Sequence, residues 1–268
     1  MGRVITFMNQ KGGVAKTTSS VTMAYCLEER GYSVLFIDLD SQANASKLLL
    51  STQKYNEIAE NNIVTLINGE SSFEETVQQA SPLIDVIPSE LVLKEEELRW
   101  QQKIAREFLL KKAISPAKDR YDFIIIDTPP QLMLNALNAI VATDDIIIPY
   151  KAESFSLDGV RSVYDAIQPI KANGINDNVC IFGLLLTQYE MTRINSFIIE
   201  NIEMLAKSLG VKHLFKTMIR KTTKIPECIT EEYSLLEYAP DCTAAIDYRN
   251  FTAEYLEANG YSLKKEES

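Results

Sequence analysis

The chain has 268 residues, 46% apolar and 24% charged, which is enough to bury one substantial core in an ordinary globular fold. A formal net charge of −10 disfavours uniform attraction to nucleic acid or anionic lipid, so any such binding needs a local basic patch. Four cysteines, at 26, 180, 228 and 242, form no C-x-x-C pair; they suggest neither a disulfide framework nor a zinc site and fit buried thiols in a reducing cytoplasm.

Met1-Gly2 with Thr6 matches the loose myristoylation pattern, but these residues lead into an apolar strand, Val4 to Met8, that should be buried, and no signal peptide precedes it. Asn9-Gln10-Lys11-Gly12-Gly13-Val14-Ala15-Lys16-Thr17-Thr18 follows, and then a helical pattern through Val21, Ala24, Tyr25 and Leu27. Strand, glycine loop and helix together make a phosphate cradle. Gly12 and Gly13 let the chain turn tightly, the backbone N–H groups from Gly12 through Val14 and Ala15 to Thr18 point inward, and the helix N-terminus adds partial positive charge. Lys16 would reach the β- and γ-phosphates, and the Thr17 hydroxyl would ligate Mg²⁺. The ordinary G-x-x-x-x-G-K-[ST] pattern fails, because Gln10 and Ala15 stand at its two glycines, whereas K-G-G-x-x-K-[ST][ST] is met.

Gly31 stops the first helix, and Ser33 to Ile37 predicts a strand buried on both faces. It ends on Asp38-Leu39-Asp40, then Ser41-Gln42-Ala43-Asn44; the aspartates are candidate site residues or turn formers, and Asn44 a candidate helix N-cap. Gln53 to Ser81 predicts short helices and turns, and Leu83 to Pro88 a strand. Glu90 to Ile114 predicts one long charged helix with Leu91, Leu98, Ile104, Phe108 and Ile114 at roughly helical spacing. Tyr121 to Ile126 is a central strand that delivers Asp127 at its carboxyl end, ahead of Thr128-Pro129-Pro130, as a Walker B aspartate does.

Helices are expected over Leu132–Ala142, Leu157–Ala172, Ile194–Leu209 and Thr243–Ala258, and strands over Ile146–Pro149, Val179–Thr187 and near Leu214. Ala136 to Tyr150 is the best candidate for a membrane span, but Asp144 and Asp145 break it well short of the ~18 residues needed. His213, the only histidine, is far from every motif and is expected at the surface or in a cap. From Met204 to Pro226 there are six bases, Lys207, Lys212, Lys216, Arg220, Lys221 and Lys224, and no acid. That window is either a solvated face or a DNA-binding patch, with Lys216, Arg220, Lys221 and Lys224 the candidate contacts.

Alternating strands and helices predict an α/β fold with a mostly parallel twisted sheet and helices on both faces, a single domain over residues 1–261 and a disordered tail over 262–268. Strand carboxyl ends then share one edge, which gathers the loop, Asp38, Asp40 and Asp127 around one nucleotide.

The loop resembles the deviant Walker A of the ParA/MinD family of P-loop ATPases, with Lys11 at its signature lysine. Asp38-x-Asp40-x-Gln42-x-Asn44 is similar to the family's switch I, and Asp127-Thr128-Pro129-Pro130 with Leu137-Asn138-Ala139 to its Walker B and switch II. Pro149-x-x-x-Glu153-x-x-x-Leu157-x-Gly159 and Ile219-Arg220-Lys221 with Glu227 resemble further family stretches. The resemblance implies ATP and Mg²⁺ as cofactors and a homodimer closed around two ATP molecules. In it Lys11 reaches the other subunit's phosphates, Asp40 orients the attacking water, and Asp38 and Asp127 act on the metal through water. It is nearest to the short ParA partition ATPases without a helix-turn-helix domain, which implies non-specific double-stranded DNA, a ParB-like partner and a place on the nucleoid in the cytoplasm. Ser41 replaces the usual switch I proline and Ala15 the usual glycine, so slow, partner-stimulated hydrolysis is expected. A MinD-like positioning ATPase would need a basic amphipathic terminal helix, whereas Asn259 to Ser268 is glycine-broken and charge-balanced, so no membrane is expected. A nucleotide-gated DNA- or partner-binding regulator that hardly hydrolyses ATP is the other alternative. Tyr189-Glu190-Met191-Thr192-Arg193 only loosely echoes the family's Tyr-Asp-x-Arg, so no adenine contact is assigned.

Overall fold

The structure is a computed structural model and describes residues 2–58, 60–153, 156–190, 193–262 and 264. Its strands are β1 (Arg3–Phe7), β2 (Val34–Asp38), β3 (Gln78–Gln79), β4 (Ile84–Ile87), β5 (Phe123–Asp127), β6 (Asp145–Tyr150), β7 (Cys180–Leu186) and β8 (His213–Leu214). They form one eight-stranded sheet in the order β3-β4-β2-β5-β1-β6-β7-β8, parallel throughout except for the β3–β4 edge pair.

The apolar runs become central strands because both of their faces are covered. Side chains alternate across the sheet: Val4, Leu35, Ile37, Ile124 and Ile126 enter the core on one side, and Ile5, Phe7, Phe36, Phe123 and Ile125 enter the core on the other. Every residue of β2 and β5 is buried. Register then does the positioning. Asp127 stands opposite Phe7 on one neighbouring strand and opposite Asp38 on the other, so the loop after β1 and both aspartates share one edge.

Helices α1 (Lys16–Glu28), α2 (Asn44–Leu50) and α3 (Thr52–Glu57) follow the first two strands. Most other expected elements are found within about two residues of their expected bounds, and Thr243–Ala258 at its expected bounds. Sequence analysis did not anticipate the β3 edge strand or the helices Lys224–Thr230 and Leu235–Tyr238.

The long helix expected over Glu90–Ile114 is a correction. The chain forms a helix at Leu93–Trp100, turns, and resumes through a 3₁₀ turn at Arg106–Phe108 into Leu109–Ala113. Ala105 sits at φ 53°, and the Arg106 guanidinium closes the turn by donating to the Gln101 carbonyl at 2.5 Å. A continuous helix of 25 residues would run straight for about 37 Å. Breaking it buries both Trp100 and Leu110, whereas Leu91, Leu98 and Ile104 are left 69%, 57% and 96% exposed.

At the end of the chain, Tyr32 donates its hydroxyl to the Ser262 carbonyl, and Lys264 reaches Asp122 at 2.5 Å. These two residues of the expected tail therefore lie against the body of the protein, while Leu263 and residues 265–268, like Met1 of the myristoylation pattern, fall outside the described residues. His213, expected at the surface or in a cap, is half-buried and bonded through Nε2 to Glu254 at 3.0 Å.

Candidate nucleotide site

Where β1 ends, Asn9 is buried and holds the loop from below. Its amide donates to the Pro149 carbonyl at 2.7 Å, and its Oδ1 accepts the Lys11 N–H at 2.9 Å. A Cβ on Gly159 would stand 2.4 Å from that Oδ1, so Gly159 is glycine because Asn9 lies against its helix, Ser156–Ala172. Pro149 and Gly159, singled out in the sequence as parts of one stretch, thus both act on Asn9, a residue sequence reasoning did not single out.

The loop is gripped from the β7 side as well: Thr187 donates its hydroxyl to the Val14 carbonyl at 3.1 Å, and Gln188 its amide to the Gly13 carbonyl at 3.1 Å. Gly13 takes φ 71° and Ala15 φ 64°, ψ 35°. Ala15 is therefore left-handed at the residue that opens α1, which explains why glycine is usual there. A methyl group in that conformation costs roughly 1–2 kcal/mol.

Lys16, 7% exposed, extends along the loop toward the Lys11 carbonyl, 3.4 Å away. Burial pulls its ammonium pKa down, against the opposing pull of Asp127 and Asp40. Thr17 donates its hydroxyl to Asp127 Oδ2 at 2.6 Å, while Asp127 Oδ1, fully buried, has no hydrogen-bond partner. Burial first, and then the charge of Asp38, push Asp127 up to about 8. A buried carboxylate oxygen with an unmet acceptor, beside a threonine hydroxyl at a helix N-terminus, fits a hydrated divalent cation that also binds phosphate oxygens.

Asp38 is held by hydrogen bonds on both oxygens. Its Oδ1 accepts the Asp40 N–H at 3.0 Å, and its Oδ2 accepts both the N–H and the hydroxyl of Ser46, at 2.9 and 2.7 Å. The strand-end aspartate thereby anchors the first turn of α2, and its burial pushes its pKa up to about 6. The candidate reading of Asn44 as a helix N-cap does not hold: Asn44 is the first residue of α2, and Ala43, at φ 53° with no side-chain cap, precedes it. Asp40 accepts the Gln42 N–H at 3.0 Å. Lys11 pairs with Glu153 of the same chain at 2.6 Å.

Two cavities meet over the loop and share Gly13, Ala15 and Thr18. The larger, about 580 Å³, contains Gly12, Lys16, Thr17, Asp40 and Asn44 in its lining. The smaller, about 340 Å³, is walled by Thr187, Gln188, Thr222, Ile225, Pro226 and Tyr248. Sequence reasoning missed this second wall, because its residues come from three distant segments and carry no motif. Met191 and Thr192 of the loose Tyr189–Arg193 echo lie outside the described residues.

The window without acids in the sequence is not without acids in space. Arg220 makes a bidentate pair with Asp247, at 2.7 and 2.9 Å. Lys221 pairs with Glu190 and Lys224 with Glu227, at 3.2 and 2.7 Å, and Arg220 and Lys221 also line the smaller cavity. Lys216 is exposed, and its backbone N–H donates to Glu254 at 2.8 Å.

Strand, tight loop and helix N-terminus, with a buried aspartate level on the next strand, define a P-loop nucleotide-binding protein. The comparisons agree. A family model described as an AAA domain matches residues 2–181. The sporulation initiation inhibitor protein Soj of Bacillus subtilis is 31% identical over 262 residues, 97% of this chain and 100% of Soj. A protein of Borrelia burgdorferi assigned to plasmid partition and bound to AMPPNP superposes with a TM-score of 0.82 at 23% identity, over 96% of this chain and 99% of that one. Cobyrinic acid a,c-diamide synthase of Mycobacterium smegmatis, bound to an ATP analog and magnesium, does so with 0.81 at 24% identity, over 97% and 96%. At those identities the two structures show a shared fold. The chain belongs to the ParA/MinD family of deviant Walker A P-loop ATPases, among the relatives of Soj and ParA.

Ala15→Gly should raise the stability of the nucleotide-free protein by about 0.5–1 kcal/mol, the relief of left-handed strain less the entropy glycine adds to the unfolded chain. Urea denaturation measures it; an unchanged midpoint would show that Ala15 is not strained.

The buried carboxylates set the sign of a pH dependence. Between the ordinary carboxylate pKa near 4 and about 8, folded Asp127 keeps a proton that the unfolded chain has released, and Asp38 does so up to about 6. Stability of the nucleotide-free protein therefore falls as pH rises through this window. Thermal denaturation of the unaltered protein and of Asp127→Asn checks it, the substitution being expected to flatten the slope.

Proposed function

We propose that the protein is an ATP-dependent partition switch: it binds ATP with Mg²⁺, dimerises face to face around the nucleotides, holds DNA without sequence preference and hydrolyses ATP slowly until a ParB-like partner stimulates it. It would work in the cytoplasm, on the nucleoid, to segregate plasmid or chromosomal DNA. The observation that carries the nucleotide chemistry is the shared level of the P-loop, Asp38 and Asp127 on adjacent strands, with Thr17 already bonded to Asp127.

Thr17 and Asp127 would hold Mg²⁺, Asp127 and Asp38 acting through water. Bound there, the metal neutralises phosphate charge. Lys16 supplies a second positive charge where negative charge develops in phosphoryl transfer, and its partial burial strengthens that interaction. Asp40, half-buried at the cavity wall, orients the attacking water. Lys11 is proposed to leave Glu153 for the partner subunit's phosphates. An exposed pair of this kind is worth about 0–1 kcal/mol, so it is a weak competitor. The strained Ala15 supports slow turnover, since it adds a methyl group and conformational cost where backbone must meet phosphate. No described helix is long and apolar enough to cross a membrane.

Lys16→Ala should abolish ATP binding. Lys11→Ala should leave binding largely intact and prevent the ATP-dependent dimer, and Asp40→Ala should prolong that dimer by slowing attack on ATP. Gel filtration with ATP and with a non-hydrolysable analogue separates the three. A Lys11→Ala protein that still dimerises and hydrolyses would remove the sandwich reading.

DNA binding should appear with ATP and not with ADP, be equal for unrelated duplexes and weaken steeply with salt. Lys216→Glu should weaken every duplex alike and flatten the salt slope by roughly 1. Lys224→Glu should do the same while also breaking the Glu227 pair, and Arg220→Glu would leave Asp247 facing a like charge, so its folding must be checked first. Unchanged affinity for the Lys216 and Lys224 variants, with dimerisation intact, would make this region a solvated face.

A further inference from the structure

Beyond the P-loop, the larger cavity runs to an outer wall made by Lys47 and Leu48 of α2, Thr52 of α3, and Ile229 and Glu232 at the end of the Lys224–Thr230 helix. The two sides of that wall meet at Glu232. Its Oε2 accepts the Thr52 N–H at 3.0 Å, and its Oε1 accepts the Thr52 hydroxyl, a contact between segments 180 residues apart.

Both ends of the contact are strained. Ser51 stands at φ 61°, ψ 153°, a conformation that is almost the preserve of glycine, and Glu232 at φ 58°. No residue of α3 is fully buried; it is held by Tyr55, which packs against the core and donates its hydroxyl to the Ser89 carbonyl at 2.9 Å, by Lys54, which donates to the Gln79 carbonyl, and by Thr52, which donates to Glu232. On the inner side, α2 is anchored by Asp38 through Ser46. The Lys224–Thr230 helix continues to Ile225 and Pro226 in the smaller cavity. From Asp38 the path runs through α2, Ser51, Thr52 and Glu232 to that helix, and it passes along both halves of the cleft.

We propose that Thr52 and Glu232 form a clasp that retains nucleotide in the cleft, with Ser51 as its hinge. The clasp rests on the nucleotide reading of the cleft and deepens it. Hydrogen bonds to an exposed carboxylate exchange readily with water, as a gate that must open each time product leaves requires. The strain at Ser51 opposes closure, because the serine relaxes when Thr52 is released. Weakening the clasp and relieving the hinge must therefore change the release rate in opposite directions.

The test is displacement of MANT-ADP from the full chain by excess ADP, with Mg²⁺ present, followed by stopped-flow fluorescence. Glu232→Ala should speed release about 3- to 10-fold and Thr52→Val somewhat less, while Thr52→Ser keeps the original rate. Ser51→Gly should slow release. In the unaltered protein, amide hydrogen exchange of residues 51–55 should slow when ADP is bound. Release rates unchanged in Glu232→Ala and Thr52→Val, faster release in Ser51→Gly, or exchange at 51–55 that ignores ADP would each overturn the clasp. An unaltered protein that fails to bind MANT-ADP would remove the nucleotide reading, and the clasp with it.

Discussion

Asp127 is a carboxylate buried at the end of a parallel strand, level with Asp38 and opposite the residue from which the P-loop departs. Burial raises the cost of its charge, and the neighbouring aspartate raises it further. Thr17 satisfies one oxygen and leaves the other without a partner. Such a site is at ease only with positive charge beside it, which Lys16 partly supplies and a hydrated cation would complete. The loop, α1 and α2 all take their positions from this edge: Thr17 bonds to Asp127, and Ser46 to Asp38.

Strain is concentrated in the same place. Among the described residues, non-glycine residues with positive φ are Ala15, Ala43, Ser51, Ala105, Gln188 and Glu232. Ala15, Gln188 and Glu232 line the two cavities, and Ala43 and Ser51 each precede a lining residue, Asn44 and Thr52. Only Ala105 has another evident purpose, the break after Trp100. Backbone held in costly conformations persists where surrounding contacts over-determine it, and here those contacts are the ones that shape the cleft: Gln188 on Gly13, Glu232 on Thr52, Asp38 beneath α2. The alanine in the loop belongs to this pattern, since its left-handed conformation is imposed by the turn into α1 and not by its own preference.

Charge shows how a pattern along the chain differs from a field in space. Six bases without an acid between Met204 and Pro226 read as a positive stripe. In the folded protein Asp247, Glu190 and Glu227 reach Arg220, Lys221 and Lys224. All three lie outside the window: Asp247 arrives from the Thr243–Ala258 helix, Glu190 from the loop after β7, and Glu227 is the residue that follows Pro226. The local potential is therefore weaker than the sequence implies, and Arg220 is as much a wall of the smaller cavity as a surface cation.

Hydrophobic periodicity, a turn-forming loop and acids at strand ends are local properties, and local properties determined the alternation of strands and helices, the phosphate cradle and the candidacy of Asp38, Asp40 and Asp127. Each depends on residues within a few positions of one another, where backbone preference and side-chain alternation act directly. The tertiary structure alone decided what depends on distant partners. It broke the helix expected over Glu90–Ile114 because Trp100 and Leu110 had to reach the core together. It gave Asp38 to Ser46, placed Asn9 against Gly159 and Pro149, built the smaller cavity from three segments, paired Arg220 with Asp247 and joined Thr52 to Glu232. Contacts such as the last, across 180 residues, leave no periodicity in the sequence; they exist because folding brings segments distant along the chain to the rim of one cleft, a meeting that no local preference encodes.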